Sequence, residues 1–143
     1  MIFALFCMVL IMPSEEYETV NYDIPNMRDY YTHIKGNGED KVTLMVYMIG
    51  SDLESDGGAA SEDIAEMMAA NADNINITLQ TGGAAAWENA NISDGKTERH
   101  IIKNGELQNV ENLGEAQMTS PNTLTDFIKW SASNYPADRY ELV

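Results

Sequence analysis

From Lys41 onward, apolar runs and polar breaks lay out a strand, a helix and a second strand. Val42-Thr43-Leu44-Met45-Val46-Tyr47-Met48-Ile49 is a nearly continuous apolar run ended by Gly50-Ser51-Asp52, the pattern of a strand buried on both faces. Ser61 is placed to cap a helix in which Ile64, Met67 and Met68 recur at helical spacing, with Glu62 and Asp63 at the positive end of its dipole. Ile75-Asn76-Ile77-Thr78-Leu79-Gln80 then alternates apolar and polar until Thr81-Gly82-Gly83 ends it. A strand, a crossover helix and a strand of this kind pair in parallel. The predicted class is therefore α/β with a mainly parallel sheet.

Farther along, Arg99-His100-Ile101-Ile102-Lys103 and Glu106-Leu107-Gln108 flank Asn104-Gly105, a pair suited to a type I′ turn, so Lys96 to Val110 reads as a hairpin decorating the sheet. Ser120-Pro121 is a helix start; Leu124, Phe127 and Ile128 form the buried face, Trp130 lies at its margin, and the helix stops before Pro136. Arg139-Tyr140-Glu141-Leu142-Val143 begins another strand, and the sequence ends inside it. Ligands in open parallel sheets bind beyond the carboxyl ends of the strands. The loop expected after Val143 is thus a segment expected to bear function, and the sheet is expected to be incomplete at its C-terminal side.

The portion before Lys41 patterns differently. Met1 to Met12 is an uncharged apolar run closed by Pro13 and Ser14-Glu15-Glu16. It has the length of a signal-peptide core, roughly 7–15 residues, and is shorter than the about 20 needed to span a bilayer. It lacks a basic leading region and an A-x-A cleavage site. Residues 1–13 are read as an apolar leader, the remnant of an export signal or membrane anchor, with an apolar element packed on the domain as the other reading. Residues 14–40, with scattered tyrosines, Pro25 and Gly36-Asn37-Gly38 and no sustained period, read as a flexible linker. Residues 41–143 form the domain proper.

Composition narrows the function classes. The chain has 143 residues, 44% apolar and 22% charged, which suits one globular domain. Acidic side chains outnumber basic ones 23 to 8, a formal charge of −15, and a surface of that sign repels a phosphate backbone, so nucleic acid is not an expected partner. The single Cys7 forms no internal disulfide and no CxxC site; as a lipidation site it lacks the small neighbours expected.

Candidate chemistry is sparse. Cys7 sits in the leader, His33 in the linker and His100 in the hairpin, so nothing brings a Cys/His pair within the reach that nucleophile activation needs; both histidines are expected at the surface. Asp52, Glu54 and Asp56 recur at alternate positions before Gly57-Gly58, but the spacing and residue types depart from a calcium loop, and a solvated acidic turn is expected instead. No phosphate-loop pattern occurs around Gly57-Gly58 or Gly82-Gly83. No cofactor is expected, calcium having no convincing loop. The best candidate is the loop Gly50-Ser51-Asp52-Leu53-Glu54-Ser55, and above all Gly50, Ser51 and Asp52, at the carboxyl end of a buried strand, with a capped turn leading to the helix as the other reading.

Four blocks carry a resemblance. Val46-Tyr47-Met48-Ile49-Gly50-Ser51-Asp52-Leu53-Glu54-Ser55, Asp63-Ile64-Ala65-Glu66-Met67, Gln80-Thr81-Gly82-Gly83-Ala84, and Asn122 to Phe127 with Asn134 to Tyr140 follow one another as in the amino-terminal half of the clostripain-like cysteine peptidases. The resemblance runs from about Lys41 to Val143. It implies a caspase-like three-layer α/β sandwich and a Cys/His dyad that cleaves after basic residues, Arg above all. In that family the strand matching Tyr140 to Val143 runs into the segment bearing the histidine, and the cysteine follows the next strand. Neither His33, His100 nor Cys7 matches those positions, so no catalytic residue is assigned in this chain. What carries over is the scaffold, with Gly50, Ser51 and Asp52 bordering the substrate cleft. The resemblance implies protein or peptide substrates and the remainder of a peptidase domain as partner; the apolar leader adds an extracellular or cell-surface location, with anchoring through residues 1–12. The other reading is a non-catalytic binding or inhibitory module on the same scaffold.

Overall fold

A computed structural model describes residues 37–70 and 73–143. The leader, with Cys7, and the linker as far as Gly36, with His33, lie outside the described residues. The first strand, β1 (Val42–Ile49), leads into α1 (Ser51–Gly57) and α2 (Ala59–Ala69), followed by β2 (Ile75–Gly82). The hairpin β3 (Glu98–Lys103) and β4 (Glu106–Asn112), the helix α3 (Pro121–Asn134) and β5 (Arg139–Leu142) complete the order. The sheet runs β4-β3-β2-β1-β5. β1 pairs in parallel with β2, from Val42↔Ile75 to Ile49↔Gly82, and with β5 on its other side. The hairpin adds on antiparallel through β3 beside β2.

Alternation along the strands sorts side chains onto two faces. One face carries Val46, Ile77 and Leu79, packed with Ala60 and Ile64 of α2 and with Ala84, Trp87, Ile92 and Leu107. The other is more polar and aromatic. Phe127 of α3 is fully buried 5.8 Å from the Tyr47 ring, and Ser131 Oγ lies 3.0 Å from Thr78 Oγ1. Helices on both faces of one sheet make the expected three-layer α/β sandwich.

The hairpin forms on its expected residues, with Asn104 and Gly105 at φ 55° and 74°, as a primed turn requires. α3 starts at Pro121 behind Ser120 and ends before Pro136. Phe127 is buried and Leu124 and Ile128 half-buried, as patterned.

Two local expectations are corrected. The segment after β1, read as a turn, is itself helical from Ser51 to Gly57. The next helix begins at Ala59 with Gly58 at the capping position, so Ser61 is inside it and caps nothing. The boundary at Lys41 also softens: Gly38 O accepts from Asn74 Nδ2 at 2.6 Å and Asp40 lies 3.5 Å from the Arg139 guanidinium. Residues just ahead of β1 therefore belong to the packed body.

Candidate functional site

The carboxyl ends of β1, β2 and β5 point the same way, and Gly50, Ser51 and Asp52 stand at the end of the middle strand. Gly50 extends the β1–β2 ladder, its amide donating to Gly82 O at 2.9 Å. A Cβ at Gly50 would come within 2.8 Å of Ala84 Cβ and 2.9 Å of Glu54 Cβ. Glycine there lets the segment after β2 close onto α1. Ser51 adopts φ 55°, a left-handed conformation that costs an L-residue on the order of 1–2 kcal/mol. Its hydroxyl accepts from Leu53 N at 3.3 Å. Asp52 is exposed, and its carboxylate meets no partner among the described residues. Of the three, Gly50 shapes the scaffold, Ser51 stores strain, and Asp52 faces solvent.

Glu54, expected in a solvated acidic turn, is fully buried; only Asp52 and Asp56 of that trio are exposed. Its Oε2 accepts from Ser61 N at 2.9 Å, while Oε1 accepts from Ser61 Oγ at 2.5 Å and Glu88 N at 2.9 Å. Ser61 Oγ in turn accepts from Asn89 N at 2.9 Å. Burial alone would raise the Glu54 pKa; hydrogen bonds from Ser61, Glu88 and Ala60 outweigh it and hold the carboxyl below its usual range. The carboxylate thereby serves the free amides at the start of α2 in place of a capping side chain. Ser55 adds to this join, its hydroxyl accepting from Ala85 N at 3.0 Å and Ala86 N at 3.3 Å. α1, α2 and residues 84–89 are thus one hydrogen-bonded block beside the strand ends.

His100 is a further correction, being wholly buried where the surface was expected. β3 lies between β2 and β4, and His100 sits opposite Leu79 and against Thr81, on the face that carries the apolar core. His100 Nε2 lies 3.0 Å from Thr81 Oγ1 and 3.8 Å from Glu98 Oε2, and Nδ1 has no partner. Burial pushes its pKa down and the nearby Glu98 works against that; the net shift is downward, toward the neutral ring. On the opposite face Arg99 donates to Gln80 Oε1 at 3.0 Å and Glu111 Oε2 at 2.8 Å beneath the Trp130 ring. The described residues contain no cysteine, so His100 has no thiol to activate there. Nor do they hold a group of three or more His, Cys, Asp or Glu side chains able to bind a metal ion.

Across from Ile49 and Gly83, a second wall rises from residues 95–97 and 115–119. Tyr47 Oη donates to Met118 O at 2.8 Å and Thr97 Oγ1 to Ala116 O at 2.6 Å. Burial raises the Tyr47 pKa, against a lowering contact from Gln80, so the phenol stays protonated as that donor. Between this wall, Ile49 and Gly83 lies a cavity of about 370 Å³. A larger one, about 650 Å³, lies at the other end of the sheet, beside Ile75 and the Asn104-Gly105 turn. It is remote from the strand ends where parallel sheets bind ligands.

Sequence reasoning missed Glu54 and the wall. The only local sign of the first was an acidic residue ahead of a helix start, and of the second, a threonine and a tyrosine far apart in the chain.

The chain is similar to solved cysteine peptidases. One, described as a B. fragilis cysteine protease, is 22% identical with TM-score 0.53, over 72% of this chain and 85% of that one. A clostripain from Bacteroides thetaiotaomicron ATCC 29148 in complex with a peptide inhibitor is 16% identical with TM-score 0.53, over 72% and 86%. A secreted C11 cysteine protease from Bacteroides thetaiotaomicron, in complex with an irreversible peptide inhibitor, is 14% identical with TM-score 0.52, over 71% of this chain and 28% of that one. Among curated proteins none matches. These likenesses fix the caspase-like fold. The profile of the Clostripain family matches residues 46–143, from the second half of β1 through β5 with the whole Gly50 to Asp52 segment, and the chain therefore belongs to the clostripain family of cysteine peptidases.

Proposed function

We propose that this chain supplies the amino-terminal part of a cysteine endopeptidase that cleaves after Arg or Lys, with the Cys/His dyad carried by polypeptide beyond Val143. The supporting observation is the direction of the β1–β5 ladder. Val143 N donates to Met45 O at 2.9 Å and Tyr47 N to Val143 O at 2.8 Å, so the β1–β5 ladder leads toward the same end as Gly50. A loop following Val143 would emerge beside Gly50, Ser51 and Asp52, which border the substrate cleft in this reading.

The chemistry is acyl transfer. A thiolate attacks the scissile carbonyl, a histidine moves the proton to the leaving amine, and backbone amides hold the oxyanion. A carboxylate in the specificity pocket selects Arg or Lys by charge, with bidentate pairing favouring Arg. The inhibitor held by one neighbour carries the sequence VLTK, which ends on lysine. Within this scheme residues 1–13 are an export leader or anchor, 14–40 a tether and 41–143 the scaffold. The protein works outside the cell or at its surface, and the remainder of the peptidase domain is its necessary partner. Another neighbour is described as secreted. No helix among the described residues is long and apolar enough to cross a membrane; in this reading any attachment is made through residues 1–12.

The test is cleavage of a short fluorogenic peptide ending in Arg, by this chain and by the product of the full open reading frame in the source DNA. Activity confined to the longer product is expected. Activity in the 143-residue chain would place the nucleophile elsewhere, and silence from both would overturn the reading in favour of a non-catalytic module.

A further inference from the structure

The cavity between Ile49 and the 115–119 wall opens at the strand ends. Its volume of about 370 Å³ is at the lower end of ligand pockets, about 300–1,000 Å³. Ile49 is 48% exposed there although the rest of β1 is buried or half-buried. With Gly83, Ala116 and Met118 it makes an aliphatic and thioether lining, and the Lys96–Glu115 ion pair, 3.4 Å long, stands at the rim. Gly83 has φ 73°, and a Cβ there would approach Ile49 Cγ2 to 2.8 Å, so the absence of a side chain keeps this flank clear. The wall is held from behind. Tyr47 and Thr97 anchor the carbonyls of Met118 and Ala116, and Met118 is itself buried. Thr97, Gln117 and Thr119 also line it, so an exposed aliphatic residue faces a fixed wall that carries apolar patches between polar groups, the usual make-up of a ligand pocket.

We infer that this cavity is a subsite for an aliphatic side chain of the peptide substrate, at a position other than the basic residue at the cleaved bond. The inference rests on the peptidase reading and adds a second determinant of sequence preference to it. Met118, buried and with its sulfur accepting from Gln80 Nε2 at 3.6 Å, gives that side of the cavity a fixed surface. The rim ion pair places both charges beside the opening, which disfavours an acidic or basic side chain entering without a partner.

The experiment uses the product of the full open reading frame and fluorogenic peptides ending in Arg, with Gly, Leu or Asp placed in turn at each of the three preceding residues. At one position, Leu is expected to exceed Gly by about tenfold in kcat/KM, the scale of burying an aliphatic side chain in a pocket, and Asp to fall below Gly. Ala116→Phe, which fills the cavity, is expected to remove that Leu-over-Gly ratio mainly through KM; Ile49→Ser is expected to shrink it. An unchanged ratio in both variants, or no aliphatic preference at any position in the parent enzyme, overturns the subsite while leaving the peptidase intact. Equal loss on all peptides together with a lowered Tm overturns it too, marking the cavity as a packing surface for other parts of the protein. Absence of cleavage of every peptide overturns the peptidase reading itself.

Discussion

Glu54 and Ser61 are bound twice over: the carboxylate takes the serine hydroxyl on one oxygen at 2.5 Å and the amide of the same residue on the other at 2.9 Å. Glu88 N joins on the first oxygen. No cation pairs with this fully buried carboxylate among the described residues. Its charge is met by oriented backbone dipoles, which a neutral or shorter side chain cannot match.

Glu54→Ala therefore strands the Ser61 hydroxyl and two amides, and is expected to lower the unfolding free energy of the full protein by about 2–4 kcal/mol, from the cost of buried unsatisfied groups. Glu54→Gln sets an amide donor against one of those N–H groups and is expected to lose about half as much. Urea unfolding checks both, and a loss below about 0.5 kcal/mol for the alanine variant contradicts the network.

Acid lability follows from two groups. The Glu54 carboxyl is held below its usual range, so its contribution is complete above the unfolded pKa and is lost as pH falls through the folded one. His100 is shifted below its ordinary 6.5; the unfolded chain takes up that proton first, so stability declines as pH drops below about 6.5. His100→Gln is expected to flatten the decline between pH 7.5 and 5.5 while leaving the steeper loss at lower pH. Melting temperatures across that range provide the measurement, and an undiminished decline in the variant removes His100 as its source.

At Gly50, alanine would press its methyl on Ala84 and Glu54 at under 3 Å. Gly50→Ala is expected to destabilise by about 1–3 kcal/mol, the usual cost of overpacking. Chemical denaturation that places the variant beside its parent would show that the 84–89 segment yields freely.

Its two neighbours are expected to behave differently. Ser51→Gly relieves the left-handed backbone and is expected to stabilise by about 0.5–1 kcal/mol, strain relief less the entropy of glycine. Asp52→Ala, exposed and unpartnered, is expected to stay within about 0.5 kcal/mol. A destabilised Ser51→Gly variant argues that the serine hydroxyl outweighs the strain.

Residues 41–143 made alone are expected to be poorly soluble or partly unfolded. β5 lies at the sheet edge with Tyr140, Leu142 and Val143 at 48%, 48% and 68% exposure, and an open apolar edge templates aggregation. A monomeric preparation with one cooperative thermal transition contradicts this.

How much could be read in advance follows the range of the forces involved. Val42 to Ile49, the Asn104-Gly105 turn and the Ser120-Pro121 helix start are set by neighbours a few residues apart, through period, turn dihedrals and the missing proline N–H. Those elements, the α/β class and the four family blocks were legible in the chain. Where the hairpin pairs with β2 was not, and that decided His100: the register His100↔Leu79 sets its ring on the covered core face beside Thr81. The acidic trio shows the same divide, since nothing local separates Glu54 from Asp52 and Asp56. Only when α1, the start of α2 and residues 84–89 meet does one carboxylate become the acceptor for all three, because desolvation and converging donors act across space and leave no period in the sequence.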